Sequence, residues 1–336
     1  MSVCWEACGV PFAFSRVGRW RLCLPCLLAC YDWWGRRRLD HGLGYLLSFL
    51  VSARLHRLPL AAAPDRPVSG VPCIALCLSL DYHRVAMLDV SAVRARPEGY
   101  WRISWHERVS STNDLVAGAA ALGAEEGLVV GAETQTAGRG RWGRRWLDAP
   151  GRCLLFSVLV AMREEAPAAF VGMAAALAVL RAVREAGAVA AGYRWPNDVT
   201  AGDRKIAGVL VEMTGGMAVV GIGVNVCGCA EDFVPACNAT TVEEAAGRPV
   251  SREELLGSIL SHLHGALALL RSGQAARIVE ELVAADALVG RQVTVARGDV
   301  KVVGTAVGID EAGRLEVVVD GEVQSLSEGE VVRVEQ

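Results

Sequence analysis

The sequence predicts an α+β fold, with one large domain followed by a small all-β module. Three observations predict it. Apolar strand-length runs, of which Cys153–Ala161 is the clearest, alternate with helix-length segments such as Ala166–Ala186. Beyond residue 288 the pattern switches to period-two alternation, with Val-rich runs between turn dipeptides. Before residue 101 no helix or strand period persists, and Trp, Cys, Arg and Pro are dense. The predicted division is therefore 1–100 unassigned, 101–287 as the large domain and 288–336 as the β module.

The elements follow in order. Ser111-Thr112-Asn113-Asp114 offers capping side chains ahead of the Ala-rich run Leu115–Leu122. Gly127–Ala132 reads as a short strand, and a Gly/Arg-rich loop follows at 137–146. Cys153–Ala161 is a buried strand. Ala166–Ala186 is a long helix, with Pro167 near its start and Gly187 past its end. Tyr193–Trp195, Gly208–Met213 and Met217–Val224 are further strands. Ser251 and Glu254 form a capping-box pattern that opens a helix to about Leu270, and a last helix covers roughly Ala275–Ala285. Asp310-Glu-Ala-Gly313 and Asp320-Gly321 are hairpin turns of the β module.

Composition narrows the function classes. The 336 residues are 52% apolar, enough for a sizeable core. The net charge of -3 points to no particular partner. Residues 1–100 carry +5 and the remainder -8, but frequent arginine explains the basic half without nucleic acid. Thirty-two of the 34 basic residues are Arg, so Lys205 and Lys301 stand out. A compact, mobile ammonium does chemistry that a guanidinium does not. Cys23, Cys26 and Cys30 lack a fourth ligand or a His pair, so no metal site is assigned. Leu43–Val51 is too short to span a bilayer, and no signal-peptide pattern is present. Residues 1–100 are expected to be a poorly ordered extension, or sequence upstream of the true start, with Met87 as a candidate.

Chemistry concentrates in Gly138-Arg-Gly-Arg-Trp-Gly-Arg-Arg-Trp146. Its glycines let backbone N–H groups approach phosphate, and its arginines supply forked cationic donors. It is not a P-loop, because no Gly-Lys-Ser/Thr follows. A solvated basic loop would have the same composition. Arg194-Trp-Pro-Asn-Asp198 ends a strand, and alone Asn197-Asp198 reads as a turn. Lys205-Ile-Ala-Gly208 precedes a strand. Gly221-Ile-Gly-Val-Asn225 puts an Asn at a strand end, where it serves equally as a cap or at the mouth of a cleft.

These fragments in this order, with Ser111-Thr112-Asn113 and Gln135, resemble the biotin–protein ligase family over residues 101–336. The resemblance implies a mixed-sheet biotin/lipoate ligase catalytic domain and an SH3-like β-barrel C-terminal domain. It implies ATP-dependent activation of biotin to biotinyl-5′-AMP with Mg²⁺, then transfer to a lysine of a biotin carboxyl carrier protein or domain. Biotin binding falls to Ser111, Thr112, Asn113, Gln135, Arg139, Gly140, Arg141 and Lys205. ATP binding falls to Arg141, Arg144, Trp146, Asn197, Lys205 and Asn225. Catalysis falls to Lys205, Arg141 and Asp198. The Gly/Arg loop is expected to close over the intermediate. The protein is expected in the cytoplasm, as monomer or homodimer, without nucleic acid or membrane partners. Two rivals are weaker. A biotin-responsive transcriptional repressor needs a DNA-binding pattern that residues 1–100 do not show. A lipoate–protein ligase needs a triple-Gly signature that is absent.

Overall fold

A computed structural model describes residues 87–146, 149–162, 168–228 and 238–335. The Cys-rich run, Leu43–Val51 and Pro167 lie outside the described residues.

Strand β3 (Cys153–Ala161) shows how sequence periodicity builds the large domain. Successive side chains of a strand point to opposite faces. Leu154, Phe156, Val158 and Val160 join the main core. Leu159 joins a second cluster with Val116, Val130 and Val219. Cys153 and Leu155 pack beside Trp146. Both faces are thus covered, which is why the run reads as continuously apolar. Ser157 is the polar exception, and it falls on the second face.

Seven strands form one sheet in the order β1-β2-β3-β7-β6-β5-β4. These are β1 (Arg102–Val109), β2 (Leu128–Gln135), β3, β4 (Ala191–Arg194), β5 (Asp198–Ala201), β6 (Arg204–Thr214) and β7 (Met217–Asn225). β1 and β2 run parallel, and the other pairs are antiparallel, so the sheet is mixed as expected. The main face is covered by α2 (Ala168–Glu185), α4 (Arg252–Arg271) and α5 (Ala275–Val283). The short α1 (Thr112–Ala121) covers the other face beside β2, β3 and β7. A one-turn α3 (Val242–Ala246) follows β7.

Local signals operate where they were read. Gly187 sits at φ 114° just past α2. The Ser251 side chain accepts from the Glu254 N–H at the start of α4. Two strands escaped sequence reading. β1 alternates exposed and half-buried residues and carries Arg, His and Glu. β5 is only four residues long and starts at Asp198, inside what looked like a turn.

Residues 87–100, left unassigned by the sequence, pack onto this domain. Leu88 is buried, and its N–H donates to Glu133 Oε1 at 2.8 Å. Glu133 also accepts from Trp105 Nε1 and pairs at 2.6 Å with buried Arg252. Its carboxylate therefore ties the entering chain to β2, β1 and α4.

The C-terminal module is a five-stranded antiparallel sheet, in keeping with the SH3-like expectation. Its strands are β8 (Gln292–Arg297), β9 (Val300–Ile309), β10 (Leu315–Val319), β11 (Glu322–Leu326) and β12 (Glu330–Glu335). Both turns fall where the sequence placed them. Asp320 and Gly321 both have positive φ, the conformation a two-residue hairpin turn requires. The module is fastened to the large domain by Trp195 Nε1, which donates to Gly313 O at 3.0 Å, and by an Arg291–Asp203 ion pair.

Candidate active site

One cavity of about 560 Å³ opens on the second face of the sheet. All thirteen residues singled out from the sequence line it, from Ser111 to Asn225. They come from five places: the start of α1, the end of β2, the Gly/Arg loop, the β4–β6 segment and the end of β7. Gly329 and β12 of the C-terminal module approach the same opening, so the small module walls part of the site.

The floor is made by glycines. Gly208 on β6 pairs with Gly223 on β7, and Ser157 on β3 pairs with Gly221. A Cβ on Gly221 would sit 2.3 Å from Asn113 Oδ1. On Gly223 it would sit 2.5 Å from the Trp146 ring, and on Gly208 2.8 Å from Lys205 Nζ. Side chains there would fill the space that polar groups now occupy.

At one end lies a buried polar cluster. Ser111 is the N-cap of α1, but its side chain makes no capping bond. Instead the Thr112 N–H donates to Gln135 Oε1 at 2.8 Å, with Thr112 Oγ1 at 3.2 Å from the same oxygen. Gln135 thus supplies from β2 the cap that the sequence assigned to the helix itself. Ser157 Oγ lies 2.7 Å from Thr112 Oγ1 and 2.5 Å from Asn113 Oδ1. Asn113 Nδ2 donates to Glu212 Oε2 at 2.6 Å. Sequence reading missed Ser157 and Glu212. The available signal was a polar residue inside each of two apolar strand runs.

At the other end sits a cluster of charge. Lys205 Nζ pairs with Asp198 Oδ1 at 2.6 Å, and Arg194 Nη2 with Asp198 Oδ2 at 3.1 Å. Both carboxylate oxygens are engaged. Lys205 lies within β6 rather than before it, because the short strand β5, between β4 and β6, extends the ladder back to Arg204. Its ammonium stands 5.2 Å from the centroid of the Trp146 ring, a cation–π arrangement. That ring lies over Gly223, and its Nε1 is buried without a hydrogen-bond partner. Asn225 is buried, and its Nδ2 donates to the Thr240 and Lys205 carbonyls, tying the end of β7 to its neighbours. Asn197 Nδ2 donates to Val209 O at 2.7 Å.

The Gly/Arg loop is a small hairpin. The Gly140 N–H donates to Arg144 O, and the Trp146 N–H to Gly138 O. Trp142, with φ 58°, and Gly143, with φ 70°, turn its tip. Its arginines point to different partners. Arg139 forks onto Asp114 at 2.6 and 3.0 Å, with Glu212 at 3.4 Å. This hydrogen bonding holds the Asp114 carboxyl below its ordinary pKa. Arg141 Nη1 donates to Gly329 O at 2.9 Å, and Asn197 Oδ1 lies 3.4 Å away. Burial lowers the Arg141 pKa. Arg144 pairs with Glu330.

Such a site offers hydrogen-bonding hydroxyls and amides at one end, and cations suited to a polyanion at the arginines and Lys205. That combination suits an enzyme that activates a carboxylate with a nucleotide. Residues 105–228 match the biotin/lipoate A/B protein ligase family, and residues 288–334 match the biotin protein ligase C-terminal domain. The biotin–[acetyl-CoA-carboxylase] ligase of Mycobacterium tuberculosis is 33% identical over 243 residues, covering 70% of this chain and 90% of that protein. The bifunctional ligase/repressor BirA of Escherichia coli is 33% identical over 208 residues, and the matched region spans 64% of its length. The biotin protein ligase of Aquifex aeolicus in complex with biotin and ATP superimposes with a TM-score of 0.62 at 26% identity, covering 70% of this chain and 99% of that one. The chain belongs to the biotin–protein ligase family.

Proposed function

We propose that this chain activates biotin with ATP and transfers it to a lysine of a biotin carboxyl carrier protein or domain. The observation that carries the reading is the meeting of all thirteen expected residues around one cavity, polar cluster at one end and cations at the other. The names and ligands of the relatives support it.

In the first step a biotin carboxylate oxygen attacks the α-phosphorus of ATP, and pyrophosphate leaves. Ser111, Thr112, Asn113 and Gln135 hold the ureido ring. Arg141 and Lys205 meet the carboxylate and the phosphate oxygens on which charge builds. Arg139 and Gly140 belong to the covering hairpin, Arg144 and Asn197 to the nucleotide side. Trp146 is the platform for adenine, which requires the Lys205 ammonium to swing off its face. Asn225 sets the β7 end on the phosphate side.

In the second step the acceptor lysine amine attacks the acyl carbon, AMP leaves, and the amine loses a proton. When Lys205 turns toward phosphate, Asp198 Oδ1 is released. That oxygen can then accept a hydrogen bond from the incoming amine.

Among the described residues no cluster of three His, Cys, Asp or Glu could hold a metal. The acidic residues that line the cavity are each paired: Asp198 with Lys205, Asp203 with Arg291 and Glu330 with Arg144. These residues do not form a resident metal site. Mg²⁺ fits as a companion of ATP, held by phosphates and water. Among the described residues no helix is long and apolar enough to cross a membrane, and a cytoplasmic setting agrees with the substrates proposed.

The test is transfer of radiolabelled biotin to a carboxyl carrier domain with ATP present. Label on the acceptor lysine is expected, and no label under conditions where the protein is folded would overturn the reading.

A further inference from the structure

We infer that Glu212 is a positioning residue of this site. It sets the amide of Asn113 inside the cavity and, with Asp114, pins the first arginine of the Gly/Arg hairpin. The inference rests on the biotin reading for its ligand.

Glu212 does not line the cavity, and its side chain is 41% exposed. It acts through its two neighbours. The amide of Asn113 has a donor end and an acceptor end of nearly the same shape. A carboxylate can only accept, so Glu212 Oε2 at 2.6 Å forces the NH₂ end toward itself. Oδ1 is then left beside Ser157, in the room that the missing Gly221 Cβ provides. The donor–acceptor pattern that buried Asn113 contributes to the cavity is therefore decided by a residue outside it. The same carboxylate stands 3.4 Å from Arg139 Nη2, whose fork is closed on Asp114. Glu212 is thereby a link between the prebuilt cluster and the hairpin. Its position on β6 opposite Val219, in an otherwise apolar run, fits no packing role.

The experiment is a double-mutant cycle on biotin affinity by calorimetry, with wild type, Asn113→Ala, Glu212→Ala and the double variant. Each single change should weaken binding about tenfold or more, since a hydrogen bond to a charged group is lost. The double variant should be no more than about twofold worse than the weaker single, because both changes break one path. Glu212→Gln offers Asn113 a donor as well as an acceptor and no longer fixes the sense of its amide, so it should weaken binding by an intermediate factor of about threefold. It should also be nicked faster by trypsin between Arg139 and Arg145 without biotin, because the charge facing Arg139 is gone. Multiplicative losses in the cycle, or unchanged affinity in Glu212→Ala, would overturn the inference. If Glu212→Ala does not fold, unchanged nicking of Glu212→Gln overturns it. Wild type that binds no biotin removes the ligase reading and this inference with it. Wild type that binds biotin while Glu212→Ala binds equally well removes the inference alone.

Discussion

The two ends of the cavity are built on different principles. The polar cluster of Thr112, Asn113, Gln135 and Ser157 is buried, and its members satisfy one another through short hydrogen bonds. The Gly/Arg hairpin is held by ion pairs and by one carbonyl of the C-terminal module. Removing a member of a buried network strands its partners and costs about 1–3 kcal/mol. Exposed ion pairs contribute about 0–1 kcal/mol and exchange easily with other anions. The comparison teaches that the polar cluster is set at folding, whereas the cations are left free to change partners. An enzyme that must admit two substrates and then shield a mixed anhydride from water needs that division.

The largest expected effect lies at the cationic end. Lys205→Ala should slow adenylate formation by about 10²–10³-fold, the scale for losing one preorganised charge at a developing anion. Pyrophosphate release reads it, and a rate within threefold of wild type would remove Lys205 from the chemistry. Next is Gln135→Ala, which takes the cap from α1 and strands the Thr112 N–H. It should lower stability by about 1–3 kcal/mol and weaken biotin binding together. Denaturant unfolding and calorimetry would show both, and a loss of binding at full stability would mean that the cluster is not a folding unit. Arg141→Gly should act in the opposite sense, leaving the melting temperature nearly unchanged while biotinyl-AMP escapes into solution. Chromatography of the reaction mixture tests this, and wild-type levels of free adenylate would end the covering role of the hairpin. The smallest effect concerns Asp114. Because Arg139 depresses its pKa, the pair is in place above the ordinary value of 3.8 and is lost as pH falls through the lower, folded value. Carbon NMR of the Asp114 carboxyl should give a midpoint below 3.8, and Arg139→Ala should move it back up. A midpoint unmoved by that change would leave the hairpin without this anchor.

The site was legible in the sequence wherever a residue breaks its local pattern. Lys205 stood out against thirty-two arginines, and the glycines of 138–146 stood out among the arginines of one loop. Asp198 and Asn225 were ambiguous, since Asn and Asp at strand ends are ordinary turn residues. Ser157 and Glu212 went unread because a single polar residue in an apolar strand has no address until the strand's neighbours are known. Strand β1 was missed because it lies at the sheet edge, where polar and apolar residues mix.

The sequence by itself determined the long buried strands, the helices with strong caps, the hairpin turns of the β module and the residue types that carry charge. All of these depend on contacts within a few residues, where period and capping chemistry act. Only the tertiary structure decided that Gln135 caps α1 across the sheet, that Asp198 shares its oxygens between Lys205 and Arg194, and that Gly329 reaches Arg141. It also drew residues 87–100 onto the core through Glu133. These are pairings between residues that lie 23 to 188 positions apart or cross from one strand to the next. They follow from sheet register and domain placement, which local pattern does not encode.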